Sequence, residues 1–240
     1  MNQLNDYNEI SDLYNLSNTK SDKLYSILPT VLKISETKDN LKTVLDLGCG
    51  NGFFTFALAK KYPSSKVIGI DNAEKQIAAA QEIQRNAEIK NINFILGDIT
   101  VDVLPKSDLI VAPFVFGYFD GERLHEALKH IFNALEKDGV LVIVLDNPIG
   151  IDNSRFGAKK TFSNGVLSIE LFDTDNIHIT TLKAIHHDID SFKQNLAETG
   201  FKDITEYHPI IDKTGLNALG ESFWNGYTEN SELVYLSCTK

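Results

Sequence analysis

Thr43-Val44-Leu45-Asp46-Leu47-Gly48-Cys49-Gly50-Asn51-Gly52 is the stretch whose reading decides the fold of this chain. Its first half is apolar and partly β-branched, the composition of a buried strand. Three alternating glycines follow at once, and Phe53 to Lys61 then reads as a helix. A strand that ends in glycines and turns into a helix presents bare backbone N–H groups to a ligand. Glycine is needed there because a side chain would keep the ligand out or forbid the turn.

Outward from that stretch the pattern alternates. Strand Val67–Ile70 precedes a helix over Glu74–Glu88; strands Phe94–Leu96 and Leu109–Val111 precede a helix over Gly121–Glu136; Val140–Leu145 is apolar throughout. Alternation of this kind predicts a parallel sheet with helices on both faces. Upstream, the spacing of Tyr7, Ile10 and Tyr14, and of Leu24, Ile27, Leu28 and Val31, predicts two short amphipathic helices. Pro29 kinks or shortens the second. Downstream, 149–160 reads as a loop, and Val166–Phe172 with Ile177–Ile185 as a hairpin about Asp173-Thr174-Asp175-Asn176. Ile189–Thr199 reads as a helix closed by Gly200, and Ile204–Tyr207 with Leu233–Cys238 as a last strand pair. No linker interrupts the chain. One domain is expected over 1–240: a helical cap (1–40), a ligand-binding core (41–148), an inserted loop and hairpin (149–188) and a C-terminal helix and strand pair (189–240).

The net charge of −10 opposes a nucleic-acid partner, because tracking phosphates takes clustered Lys and Arg. No apolar run approaches a membrane span, and the N-terminus lacks signal-peptide regions. Cys49 and Cys238 have no metal-ligand spacing, so no metal is expected; two reduced thiols suit a cytoplasmic location. The oligomeric state, monomer or homodimer, stays open.

Two kinds of ligand suit the glycine loop. The dinucleotide fingerprint G-x-G-x-x-G/A needs a small last residue, and Phe53 stands there. Asp71 ends the second strand about 20 residues on, a spacing suited to a ribose in either case. Gly97-Asp98-Ile99 closes the third strand. Its carboxylate can accept from an exocyclic amino group while the next backbone N–H serves a ring nitrogen. That describes an adenine site with no pyrophosphate beside it.

With these residues in place, the chain resembles the class I S-adenosylmethionine-dependent methyltransferases. The match runs through Val44-Leu45-Asp46-Leu47-Gly48-Cys49-Gly50-Asn51-Gly52, Val67-Ile68-Gly69-Ile70-Asp71 and Gly97-Asp98-Ile99. It continues more loosely through Asp108-Leu109-Ile110-Val111 and Leu135-Glu136-Lys137-Asp138-Gly139-Val140. Two departures stand out: Ala73 where the family often has Ser, and Lys137-Asp138-Gly139 for the usual Pro-Gly-Gly. The resemblance implies an α/β, Rossmann-like fold: a seven-stranded, mostly parallel sheet with helices on both faces, an N-terminal helical cap and an inserted antiparallel hairpin. It implies S-adenosyl-L-methionine as cofactor and a small-molecule methyl acceptor, planar or apolar, modified at nitrogen or oxygen. More weakly, Asp146-Asn147-Pro148, the hairpin, Ala197-Glu198-Thr199-Gly200-Phe201 and Gly220-Glu221-Ser222-Phe223-Trp224 resemble N-methyltransferases of the toxoflavin-biosynthesis type.

The resemblance further implies that Gly48, Gly50 and Asn51 surround the methionine part, with Asp46 holding its amino group directly or through water. Asp71 takes the ribose hydroxyls or, alternatively, caps the next helix. Asn72 adjoins it. Ile77 packs on adenine or in the core; Asp98 and Ile99 read the adenine edge or face solvent; Ala112 completes the cofactor contacts. On the acceptor side Tyr7, Tyr14, Phe114, Tyr118, Asn147 and Trp224 line the pocket or serve ordinary packing. Tyr118, Asn147 and His178 are the candidate catalytic groups, although methyl transfer from a sulfonium needs mainly positioning and exclusion of water. Two other readings remain at this point: a non-catalytic S-adenosylmethionine-binding protein and a nicotinamide-dependent oxidoreductase.

Overall fold

The computed structural model describes residues 5–17, 22–37, 40–147, 156–173 and 175–240, without the side chains of 13–17 and 37. The helices are α1 (Tyr7–Ser17), α2 (Leu28–Ile34), α3 (Phe53–Lys61), α4 (Glu74–Ala87), α5 (Gly121–Ala134), α6 (Ile189–Thr199) and α7 (Lys213–Leu219). The strands are β1 (Thr43–Leu47), β2 (Lys66–Asp71), β3 (Ile92–Leu96), β4 (Ser107–Pro113), β5 (Leu135–Asp146), β6 (Ala158–Ser163), β7 (Val166–Phe172), β8 (His178–Ile185), β9 (Lys202–Tyr207) and β10 (Leu233–Thr239).

One sheet has the order β3-β2-β1-β4-β5-β10-β9. Its first five strands pair in parallel, and β10 runs antiparallel to both neighbours. Side chains alternate between its faces, as the two-residue period of a strand requires. Leu141, Ile143 and Leu145 of β5 join one core with α5 and α6. Val140, Val142 and Val144 join the other with α2, α3 and α4. Both faces are therefore covered, which is why these strands are apolar without a break. The chain winds from β1 out to β3, then returns to place β4 on the other side of β1. That reversal opens a crevice at the carboxyl ends of β1 and β4.

Strands β6, β7 and β8 form a separate antiparallel sheet. The insertion is thus three-stranded, where the sequence suggested a hairpin. β6 begins inside the segment read as a loop, and it joins β7 through Asn164-Gly165, both at positive φ. Residues 148–155 and Thr174 lie outside the described residues. Helix α5 stops at Ala134, earlier than its apolar spacing suggests, because Leu135 already turns extended and pairs with Ser107.

The segment from Ser21 also departs from expectation. Lys23–Ile27 is a π-helical turn that runs into α2, with Pro29 in the first turn of α2. Proline lacks the N–H that would bond the Tyr25 carbonyl. The Asp212 N–H bonds that carbonyl instead at 2.9 Å, and the Ile210 N–H donates to Thr30 Oγ1 at 2.9 Å. These bonds tie the C-terminal segment to the cap. Helix α7 follows and packs so closely that a Cβ on Gly215 would meet Tyr25 Cβ at 2.5 Å. Both partners are rigid near the backbone, so Gly215→Ala should cost about 1–3 kcal/mol by overpacking. A shift of the urea midpoint to lower concentration checks this; an unchanged midpoint contradicts the close packing.

Candidate functional site

The crevice is built on the glycine turn. Gly48, Gly50 and Gly52 hold φ of 62°, 53° and 90°. At Gly48 a Cβ would also lie 2.8 Å from Val115 Cγ2 on the loop after β4. Asp71, at the end of β2, ties the surrounding loops together. Its Oδ2 accepts from the Gly50 N–H at 2.8 Å, its Oδ1 from the Ala73 N–H at 2.9 Å, and its carbonyl from the Gly97 N–H at 3.0 Å. Burial raises the Asp71 pKa, while the backbone donors of Ala73 and Gly50 oppose that rise.

Above these strand ends lies a cavity of about 360 Å³, within the usual range for sites that enclose a small molecule. Gly48, Gly50, Asn51, Asp71, Asn72, Asp98, Ile99, Tyr7, Phe114 and Tyr118 all line it. Asp98 Oδ1 accepts from the Thr100 N–H and hydroxyl at 2.9 and 2.7 Å. The Arg123 guanidinium stands 3.8 Å from Asp98 Oδ2 and over the Phe119 ring. Part of the wall is aromatic. Tyr7 of α1 and Tyr118 meet edge to face, with their hydroxyls in hydrogen-bond contact. Phe114 holds φ of 62°, a left-handed conformation unusual for a bulky residue, and its N–H is bonded to the Val144 carbonyl at 3.0 Å. Lys23 Nζ lies 4.7 Å from the centroid of Phe53.

Helix α1, whose Tyr7 lines the cavity, is held from two sides. Asn5 exchanges hydrogen bonds with the Lys183 backbone on β8, and Asn8 Oδ1 accepts from the Lys75 N–H on α4.

Other expected residues lie outside the cavity lining. Asp46 sits beneath the turn, 1% exposed, with Oδ2 bound to the Thr55 hydroxyl at 2.6 Å. Ile77 and Ala112 are buried in the two sheet cores. The Asn147 N–H donates to the Glu232 carbonyl at the end of β5. Trp224 packs with Phe156 and Tyr227 in a separate core and donates its indole N–H to the Gly215 carbonyl at 3.1 Å. His178 is exposed at the start of β8, an edge strand of the small sheet, with Nε2 2.9 Å from Thr181 Oγ1. The Tyr14 side chain lies outside the described residues. Conversely, Lys23, Gln76, Phe119 and Arg123 line the cavity without having been singled out in the sequence, and Phe53, read there only as a departure from the dinucleotide fingerprint, lines it too.

The methyltransferase-domain family model matches residues 38–155. Over those residues the chain carries a methyltransferase domain, and its fold is that of S-adenosylmethionine-dependent methyltransferases. Malonyl-[acyl-carrier protein] O-methyltransferase of Bacillus cereus is 32% identical over 127 residues, covering 52% of this chain and 45% of that protein. (S)-coclaurine N-methyltransferase of Thalictrum flavum subsp. glaucum is 31% identical over 130 residues, covering 54% of this chain and 35% of that protein. This chain therefore spans less than half the length of either relative. Over nearly the whole chain, the fold matches an S-adenosylmethionine-dependent methyltransferase from Clostridium acetobutylicum with a TM-score of 0.66 at 17% identity, covering 98% of this chain and 99% of that one.

S-adenosylmethionine is the cofactor of the methyltransferase domain, which sets aside the nicotinamide reading. The residues present fit it. The crevice offers carboxylate acceptors at Asp71 and Asp98, and its turn has space that side chains would fill. Among the described residues, no group of His, Cys, Asp and Glu is arranged to hold a metal, and no helix is long and apolar enough to cross a membrane.

Beneath the methyltransferase crevice, burial pushes the Asp46 pKa up to about 7, against the pull of the Thr55 hydrogen bond. A carboxyl whose folded pKa is raised favours folding while both states are protonated. That contribution is lost as pH rises from about 4, where the unfolded group ionises, to about 7. Asp46→Asn keeps the Thr55 bond and does not titrate. The Tm advantage of ligand-free Asp46→Asn over the parent should grow from pH 4 to pH 7 and level off above. A difference independent of pH contradicts the assignment.

Proposed function

We propose that the protein transfers a methyl group from S-adenosyl-L-methionine to a small-molecule acceptor held against the aromatic wall of the cavity. The observation that carries this reading is the joining of two unlike halves in one crevice. Carboxylates and a glycine turn suited to an adenosyl group adjoin a pocket walled by Tyr7, Phe53, Phe114 and Tyr118. In this reading Gly48, Gly50 and Asn51 face the methionyl part. Asp46, whose Oδ1 has no hydrogen-bond partner, lies beneath them to receive the amino group directly or through water. Asp71, with Asn72 beside it, takes the ribose, while Asp98 and Ile99 take the adenine edge. Ile77 and Ala112 act from the core by shaping the floor, and the 1–40, 149–188 and 189–240 segments act as cap, lid and brace.

The sulfonium supplies a methyl group that leaves with its bond electrons remaining on sulfur. The chain's own task is then to aim the acceptor atom in line and to keep water away. Aromatic walls hold a planar or apolar acceptor. The Tyr7–Tyr118 hydroxyl pair can accept a hydrogen bond from the acceptor's N–H or O–H and so aim its lone pair. Nitrogen is the favoured acceptor atom, with oxygen as the second option; the two relatives named above include one N- and one O-methyltransferase by name.

The test is methyl transfer from labelled S-adenosylmethionine to a panel of small amines, heterocycles, phenols and carboxylates. Turnover on at least one is expected, and Tyr118→Phe should lower kcat by about 10²-fold with the affinity for S-adenosylhomocysteine unchanged. Binding of the cofactor with no turnover on any class would favour a non-catalytic binding protein.

A further inference from the structure

His187, in the segment between β8 and α6, is a half-buried imidazole that lines no part of the main cavity. Its Nε2 lies 2.8 Å from the Phe116 carbonyl oxygen. That oxygen already accepts from the Phe119 N–H at 3.1 Å, so the imidazole meets its second lone pair. Phe116–Tyr118 is a single 3₁₀ turn after β4. Such a turn has poorer hydrogen-bond geometry than an α-helix and leans on outside contacts. His187 and β8 supply them. The His187 ring lies 5.5 Å from that of Phe192, which meets Phe116 edge to face at 5.2 Å. A Cβ on Gly117 would come within 3.1 Å of Ala184 Cβ. Burial lowers the His187 pKa, against its backbone bond to Phe116. The ring is therefore neutral at pH 7 with a single N–H, and a carbonyl partner assigns that proton to Nε2.

The same strand holds the second tyrosine. β8 is an edge strand of the small sheet. At Lys183 the Asn5 side chain donates to the backbone carbonyl at 2.8 Å and accepts from the N–H at 2.9 Å, two residues before Tyr7. Residues 183–187 thus back Tyr7 on one side and the turn that carries Tyr118 on the other, and the two hydroxyls meet between them. We propose that His187 is a positioning residue for methyl transfer: its Nε2–H fixes the turn so that the Tyr118 hydroxyl meets that of Tyr7. The proposal rests on the function given above, in which that hydroxyl pair aims the acceptor. It gives the inserted sheet a task in the chemistry besides covering the site.

His187→Gln keeps an N–H close to the Nε2 position, and His187→Leu removes it. Both are compared with the parent, as full chains bound to S-adenosylhomocysteine. Tyrosines labelled with ¹³C at Cζ report the hydroxyl contact by NMR, with Tyr7→Phe and Tyr118→Phe assigning the two signals. In His187→Leu the Tyr7 signal should move to where Tyr118→Phe puts it; in His187→Gln it should stay with the parent. On an amine or phenol that the parent methylates, His187→Leu should lower kcat about tenfold and His187→Gln should restore it, with the affinity for S-adenosylhomocysteine unchanged in both. Tyrosine signals unmoved in His187→Leu, even beside a lowered Tm, overturn the proposal, and so does a kcat equal to the parent's. Should His187→Leu not fold, the ¹⁵N signals of the parent's own imidazole decide: the Nε2–H tautomer is required, and an Nδ1–H tautomer overturns the proposal. A parent that takes up no S-adenosylhomocysteine or methylates no acceptor overturns the function itself, and this proposal with it. Turnover with tyrosine signals indifferent to His187→Leu overturns this proposal only.

Discussion

The bond from the Gly50 N–H to the Asp71 carboxylate holds the ends of two parallel strands in one geometry, and the crevice depends on it. A buried carboxylate is costly unless it finds donors. Here one donor is the Gly50 N–H, which a glycine turn with positive φ brings within reach. The same residue accepts from Ala73 and, through its carbonyl, from Gly97. Three loops thus converge on one residue, and the reversal of strand order between β1 and β4 leaves the space above them open. Turn, carboxylate and topology are one device: without the glycines that donor points elsewhere, and without the reversal there is nothing to bind.

The surroundings of the crevice are braced by charge as well as by apolar packing. Lys160 of β6 lies 2.6 Å from Asp146 and 3.2 Å from Glu232. Burial disfavours its charge, but the two carboxylates outweigh burial and its pKa is raised. Burial pushes Glu232 up to about 7 despite the nearby lysine. This cluster joins the small sheet to the end of β5 and the start of β10. Together with the Asp212–Tyr25 and Ile210–Thr30 bonds, it fixes the insertion to the large sheet and the C-terminal segment to the cap. Removing one member of such a buried group leaves the others uncompensated, which is far costlier than the pair is beneficial.

Much of this was legible in the sequence because local chemistry dictated it. The glycine turn, helix Phe53–Lys61, the helix closed by Gly200 and the acids at the strand ends each follow from spacing and backbone preference. The rest came from tertiary context. β6 was missed because its residues, Lys159, Lys160, Thr161 and Ser163 among them, lack apolar alternation. Its Asn164-Gly165 turn was nevertheless a hairpin signal in plain view. Lys23 reaches the cavity from a π-helical turn that no helical periodicity foretells. Gln76 occupies the buried face of α4 one turn before Ala80, so a polar residue on an apolar stripe was the available clue. Trp224 and His178 attract attention by residue type, but type does not set position: the first anchors a separate aromatic cluster and the second ends up in solvent.

The measurement that bears most directly on the account is a crystal structure of the protein grown with S-adenosylhomocysteine. The account predicts the nucleoside across the carboxyl ends of β1, β2 and β3, ribose at Asp71, adenine near Asp98 and the sulfur facing the Tyr7–Tyr118 pair. A crevice closed by its own side chains, or a nucleoside seated elsewhere, would contradict it.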